Sequence, residues 1–333
     1  MAHLDAQAEL EIATAAVRAA ARVCRRVQAD LVSAATLEKN DRSPVTVADF
    51  ASQAIVCALL AESSSVRSIV AEESADHLRA PEAAEQRDKV LNHLREARGR
   101  EVSPERVCEW IDLGASAGGE RAERYWTLDP IDGTKGFLRG GQYAIALALI
   151  ERGQVLLAAL CCPNLPAPDG SGGVMLSAVR GQGAVQQALQ GDGSPPRPVR
   201  VDDIETPSDG RFCESFEPGH SDQQWSARVA SRLGIRLAPV RVDSQAKYAL
   251  LARGEASIYL RLPTRKDYRE KIWDHAAGMI IVEEAGGTVS DVDGKRLDFS
   301  VGRTLKRNRG VIATSGKIHR AVVEAVGGVL ADS

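Results

Sequence analysis

The chain has six cysteines but no CxxC pair and no Cys/His ligand spacing. Scattered as Cys24, Cys57, Cys108, Cys161, Cys162 and Cys213, they argue against a zinc module and against a compact disulfide framework. Long apolar runs are missing too: none approaches membrane-spanning length, and the opening MAHLDAQAELE carries early acids and no apolar signal core. The expectation is a soluble, cytoplasmic protein with reduced thiols and no membrane partner. Neither charge is in surplus, with 42 Lys and Arg against 45 Asp and Glu and a net charge of -3. With no basic aromatic surface motif either, a nucleic-acid partner is not expected. An anionic substrate would have to be met locally, by a few basic groups or by metal ions. No repeat of fixed period and no low-complexity tract interrupts the sequence.

What is present is enough chain, 333 residues, for one large domain or two closely packed ones. Leu10, Ala13, Val17, Ala20, Cys24, Val27 and Leu31 recur at helical spacing, with Arg18, Arg22, Arg25 and Arg26 between them as a solvated basic face. After Ser43 and Pro44, TVADFASQAIVCALLAES reads as a second helix burying Phe50, Ala54, Ile55, Ala58 and Leu59. SIVA at 68–71 reads as a short buried strand, 76–109 as charged and mostly helical, GASAGGER as a connector, and QYAIALALIERGQVLLAALCCP as a β-hairpin. Gly and Pro cluster from 163 to 198, where GVMLSAVRGQGAVQQ suggests extra strands. A boundary near residue 200 divides an N-terminal α+β part, 1–200, from a C-terminal α/β part, 201–333. In the latter, helices near 221–233, in SQAKYALLARG and in WDHAAGMIIVEEAGG alternate with strands at 236–242, ASIYLRL and TVSDV.

Four places hold acids of interest. In WTLDPIDGTKGF, Asp129 and Asp132 follow an apparent strand and flank Pro130 and Ile131, with Gly133 and Thr134 next, so both carboxylates sit on an irregular loop. Two carboxylates, a carbonyl and a hydroxyl are hard oxygen donors of the kind Mg²⁺ takes. An Asp-rich turn explains the same string. Asp49 stands three residues after Thr46 and reads equally as the acid of a capping box. Glu72 and Glu73 end the SIVA strand, where an exposed turn acid is the plain alternative. Asp274 stands at the start of the last predicted helix, where it could simply cap.

In their order along the chain, TVADF, VAEES, LDPIDGT and WDHAAGMIIVEEAGG resemble the inositol monophosphatase superfamily of magnesium-dependent, lithium-sensitive phosphatases. The longer strings SPVTVADFASQAIV, DPIDGTKGFLRGGQYAIALALI, DSQAKYALLARGEASIYLRLP and KIWDHAAGMIIVEEAGG look like its 3'(2'),5'-bisphosphate nucleotidases, enzymes of salt tolerance and sulfur metabolism. The resemblance implies α+β and α/β structure in a layered α/β/α/β/α sandwich. It implies hydrolysis of adenosine 3',5'-bisphosphate to AMP and phosphate, with action on 3'-phosphoadenylyl sulfate in many members. It also implies about two or three Mg²⁺ ions per site, held by Glu72, Asp129, the Ile131 carbonyl, Asp132 and Asp274. Asp49 and Thr134 would orient and deprotonate the attacking water. By motif, His220 in EPGHSD, Ser244 and Lys247 in DSQAKY and Arg261 in YLRLP would contact the nucleotide, together with Thr134 and Asp274. A monomer or weak dimer is expected. An inositol phosphate phosphatase on the same scaffold, and a nucleotide sensor without turnover, remain the alternatives.

Overall fold

The computed structural model describes residues 4–33, 43–119, 122–190, 195–216, 223–263 and 267–332. The first helix, α1 (Ala6–Ser33), opens at Asp5, whose carboxylate accepts the Gln7 and Ala8 amides at 3.1 Å each. Its apolar stripe lies where the spacing places it: Ala13, Val17, Ala20, Cys24 and Val27 are buried. Its arginines are not all solvated, however. Arg18 donates to the Leu189 carbonyl at 2.7 Å, and Arg25 to those of Pro163 and Gly172 at 2.5 and 2.7 Å. The Gly- and Pro-rich segment leaves carbonyls outside any strand ladder, and a multi-donor guanidinium satisfies them.

Helix α2 (Ser43–Ser63) begins earlier than the TVADF reading, because proline is tolerated in a first helical turn. Asp49 therefore lies in the second turn, and the first turn contains no acid. The capping-box alternative for Asp49 falls. Residues 51–58 are buried without exception, since α2 is enclosed by neighbours on all sides; Leu59 is only partly buried. Next come β1 (Ile69–Ala71), then α3 (Asp76–Arg79), α4 (Ala84–Arg98) and α5 (Pro104–Asp112) from the charged stretch. Strand β2 (Arg124–Asp132) runs through the DPID motif and does not stop before it, and α6 (Thr134–Leu138) follows at once. Asp129 and Asp132 thus stand on strand, not on an irregular loop.

The hairpin is β3 (Ala144–Glu151) and β4 (Gln154–Cys162), closed by Arg152 and Gly153 at φ 48° and 76°, the left-handed pair a tight hairpin turn requires. With β5 (Val174–Val179), β6 (Ala184–Ala188) and β7 (Arg197–Pro198) these form a seven-stranded sheet in sequence order, antiparallel except for the parallel β1–β2 pair. The nearly continuous apolar run of β3 reflects helices on both faces. Alternation still sorts its side chains. Ile145, Leu147 and Leu149 enter the core under α1 and α2, while Ala144, Ala146 and Ala148 face the opposite core, where small side chains let a buried helix approach closely.

The second sheet, in order β11-β12-β10-β8-β9, comprises β8 (Phe212–Glu214), β9 (Val240–Arg241), β10 (Ile258–Arg261), β11 (Gly287–Ser290) and β12 (Val311–Ser315). Helices α8 (Ala246–Ala252) and α9 (Ala276–Glu284) lie between the two sheets, and α7 (Gln223–Leu233) and α10 (His319–Ala331) cover the outer face of the second. The result is an α/β/α/β/α sandwich. The strand expected at 236–242 shrinks to two residues, and β8, β12 and α10 have no counterpart in the sequence reading. The central layer is tight: a Cβ on Gly278 of α9 would stand 2.1 Å from the Tyr248 ring of α8. None of the helices among the described residues is long and apolar enough to cross a membrane.

Candidate active site

In a regular strand, residues three apart point to opposite faces, so Asp129 and Asp132 ought not to share a site. β2 resolves this with a bulge. Asp129 pairs with Ala146 and Asp132 with Ala144, so three steps on β2 match two on β3. The extra residue rotates both carboxylates into one cavity of about 570 Å³. Ser52 on α2 pins the bulge by donating to the Pro130 carbonyl at 2.8 Å. Gly133, at φ 91°, turns the chain out of the bulge, and a Cβ there would meet the Ser244 side chain at 2.8 Å.

Three other elements deliver acids to the same cavity. Asp49 comes from α2, Glu72 and Glu73 from the end of β1, and Asp274 from just before α9, where the N-cap position belongs to His275. N-capping by Asp274 is thereby excluded. Two buried glutamines lock these pieces. Gln53 of α2 donates to the Glu73 carbonyl at 2.8 Å and accepts the Glu73 amide at 3.0 Å. Gln245 gives its amide to Asp132 Oδ2 at 2.5 Å, donates to the Trp273 carbonyl at 2.9 Å and accepts from Gly278 N at 3.4 Å.

The acids strain one another electrostatically. Burial first, then Asp274, Glu73 and Asp132, push Glu72 up to about 8. Asp274 is pushed up to about 6 by burial, and further by Asp132, against the lowering influence of His275. Asp129 is raised well above the carboxylate range by burial and by Glu72, and Asp49 by burial and by Glu73 and Glu72. Asp129 Oδ1 is buried with no hydrogen-bond partner. A buried carboxylate oxygen without a partner, among acids that repel it, suits a hard divalent cation. Ile131 and Thr134 line the cavity beside these acids.

The opposite wall is cationic. Lys247 on α8 is buried, donates to Ser215 Oγ at 3.0 Å and to the Val242 carbonyl at 3.4 Å, and stands 5.4 Å from the Tyr259 ring centroid. Burial lowers its pKa, opposed by Asp132. Ser244 adopts φ 69°, a conformation that costs a serine about 1–3 kcal/mol, and its Oγ accepts the Ala246 amide at 3.1 Å. Arg261, at the end of β10, pairs through Nε with Glu270 at 3.3 Å. Burial opposes its charge, but Tyr259, Glu270 and Asp274 raise its pKa above the usual value. Glu270 also meets His275 Nε2 at 3.3 Å, and His275 Nδ1 meets the Tyr248 hydroxyl at 2.8 Å.

Ligand-type atoms of Glu270, Asp274 and His275 lie within 4.8 Å of one another, the one such trio among the described residues. Both ring nitrogens of His275 are engaged and Glu270 holds Arg261, so these two act as a brace for the wall, while Asp274 lines the cavity. Glu72, Asp129 and Asp132 are more widely spaced around the cavity, which leaves room for ions that also take water and substrate oxygens.

The structure thus brings Asp49, Glu72, Asp129, Ile131, Asp132, Thr134, Ser244, Lys247, Arg261 and Asp274 into one cavity. His220 lies outside the described residues. The sequence reading missed Gln53, Gln245, Glu270 and His275. Gln245 sits inside the quoted DSQAKY string and His275 inside WDHAAG, but nothing local distinguishes either from an ordinary buried polar residue.

Residues 5–330 match the model of the inositol monophosphatase family. The chain belongs to that family. Among its relatives, a 3'(2'),5'-bisphosphate nucleotidase of Schizosaccharomyces pombe is 47% identical, covering 97% of this chain and 96% of the relative. A protein of the same name from Oryza sativa is 46% identical, covering 96% and 93%. An inositol monophosphatase structure from Anabaena (Nostoc) matches the fold with a TM-score of 0.62 and 22% identity, covering 98% of this chain and 97% of that one. The bulged β2, the acids around it and the start of α9 thus lie within the stretch that matches the family, residues 5–330.

Proposed function

We propose that this chain is a Mg²⁺-dependent phosphatase that removes the 3'-phosphate of adenosine 3',5'-bisphosphate, giving AMP and phosphate, with 3'-phosphoadenylyl sulfate as a second substrate. The observation that carries the reading is the two-sided cavity: a cluster of acids, with Asp49 and Asp129 buried at its base, shares a space of about 570 Å³ with Lys247 and Arg261. The names of the relatives, at 46–47% identity over almost the whole chain, support the substrate class.

Glu72, Asp129, the Ile131 carbonyl, Asp132 and Asp274 would hold about two or three Mg²⁺ ions. Bound there, the metal would neutralise the phosphoryl oxygens and polarise the attacking water, the large terms in phosphate monoester hydrolysis. Thr134 orients that water. Asp49 receives its proton, and the burial and neighbouring charges that raise its pKa make it a stronger base than a free aspartate. The water oxygen would bond to phosphorus as the bond to the ribose 3'-oxygen breaks, and the leaving alkoxide would take up a proton from solvent water. Lys247 and Arg261 hold the remaining phosphate charge, Arg261 with paired donors, and Ser244 and His220 complete the nucleotide contacts. Six buried, unpaired cysteines support a reducing, cytoplasmic setting.

The test is phosphate release from adenosine 3',5'-bisphosphate, 3'-phosphoadenylyl sulfate and inositol 1-phosphate across a Mg²⁺ titration. Metal-dependent turnover with preference for the nucleotides is expected. Preference for the inositol phosphate would overturn the nucleotidase reading, and nucleotide binding without turnover would make the chain a sensor.

A further inference from the structure

Among the described residues three large hydrophobic side chains are exposed, and one of them, Phe216 at 55%, stands on the rim of the catalytic cavity. The residue before it, Ser215, lines the cavity and receives Lys247. The Phe216 amide donates to Asp243 Oδ1 at 3.2 Å, and Asp243 is itself a cavity residue. The other Asp243 oxygen pairs with Arg139, whose guanidinium carbon stands 5.9 Å from the Phe216 ring centroid. Asp243 thus ties down both the backbone that carries the ring and the cation beside it.

Inside the cavity a nucleobase would find little to stack on. Among the described lining residues Tyr259 is the single phenyl-type ring, and the Lys247 ammonium already stands over it. The interior walls are carboxylates and cations, suited to phosphates and sugar hydroxyls. A base attached to that sugar must point toward the mouth, where an aromatic ring and an arginine side by side offer stacking and cation–π contact. We propose that Phe216, braced by Asp243 and Arg139, is the platform on which the purine base of the substrate stacks. This rests on the nucleotidase reading and adds to it the residue that distinguishes a nucleotide from a bare sugar phosphate.

The experiment compares wild type, Phe216→Ala and Phe216→Trp by the KM for adenosine 3',5'-bisphosphate and by the inhibition constant of ribose 5-phosphate, which lacks the base. Loss of one base–aromatic stack corresponds to about a tenfold change or more, so Phe216→Ala is expected to raise the nucleotide KM about tenfold. The inhibition constant of ribose 5-phosphate stays within about twofold, which also shows that the site is intact, and Phe216→Trp restores the wild-type KM. An active wild type whose nucleotide KM does not change in Phe216→Ala overturns the platform alone, as does an equal loss of affinity for ribose 5-phosphate. A wild type inert toward the nucleotide overturns the nucleotidase reading and the platform with it.

Discussion

The two walls of the cavity obey opposite electrostatic rules. On the wall built by α2, β1 and β2, acids crowd together with Asp49 and Asp129 buried and Glu72 reaching the open mouth, and desolvation with like charge raises Asp49, Glu72 and Asp129 together. On the wall built by α8 and β10, each cation has its own partner: Lys247 has Ser215 and the Val242 carbonyl, and Arg261 has Glu270. The first wall is held in place by the fold against its own repulsion and gains from any cation that enters. The second is already satisfied and serves to position. A site that must gather positive ions and then orient an anionic substrate needs this asymmetry.

The largest effect that would break the comparison is expected from Asp132→Asn. Removing one charge from the repelling wall should cut turnover by roughly 10²–10³-fold, while the metal-free melting temperature holds or rises. Phosphate release and thermal melts of one preparation check both halves; wild-type turnover would remove Asp132 from the metal set. On the satisfied wall the effect should be smaller and of another kind. Glu270→Gln weakens a charge-assisted bond to Arg261, an interaction of about 1.5–3 kcal/mol, so KM for the bisphosphate should rise by about tenfold or more with kcat changed less. A fall confined to kcat would instead place Glu270 in the chemical step.

The smallest expected effect separates the walls without mutation. Glu72, raised to about 8, and Asp274, raised to about 6, bind more protons folded than unfolded between the ordinary carboxylate range and those values. Stability with chelator present should therefore fall as pH rises through that window. Added Mg²⁺ should reverse the trend, because binding requires the deprotonated acids and favours the folded state. Denaturant melts at pH 5, 6, 7 and 8 with EDTA or Mg²⁺ provide the check. A slope unaltered by metal would mean that the acid wall does not take up the cation.

Much of this molecule was legible along the chain. The stripe from Ala13 to Val27, the long α2 and the Arg152-Gly153 hairpin all follow from periodicity and turn chemistry, which act over a few residues. Boundaries were less so: α2 absorbed Ser43 and Pro44, since a first helical turn tolerates proline, and β2 ran on through Pro130 because its pairing with β3 extends to Asp132. The solvated reading of Arg18 and Arg25 failed for a similar reason, since their carbonyl partners lie more than a hundred residues away.

By itself the sequence determined which acids, which basic residues and which helices and strands the protein has, since residue type and short-range spacing are local properties. Only the tertiary structure decided that Asp129 and Asp132 point the same way, because that depends on a bulge defined against β3. It alone gathered acids from α2, β1, β2 and the approach to α9, raised Asp49, Glu72, Asp129 and Asp274 by desolvation and mutual repulsion, and set Glu270 behind Arg261 and Phe216 at the rim. Those are relations between distant segments, and their energies depend on separation and exposure in space.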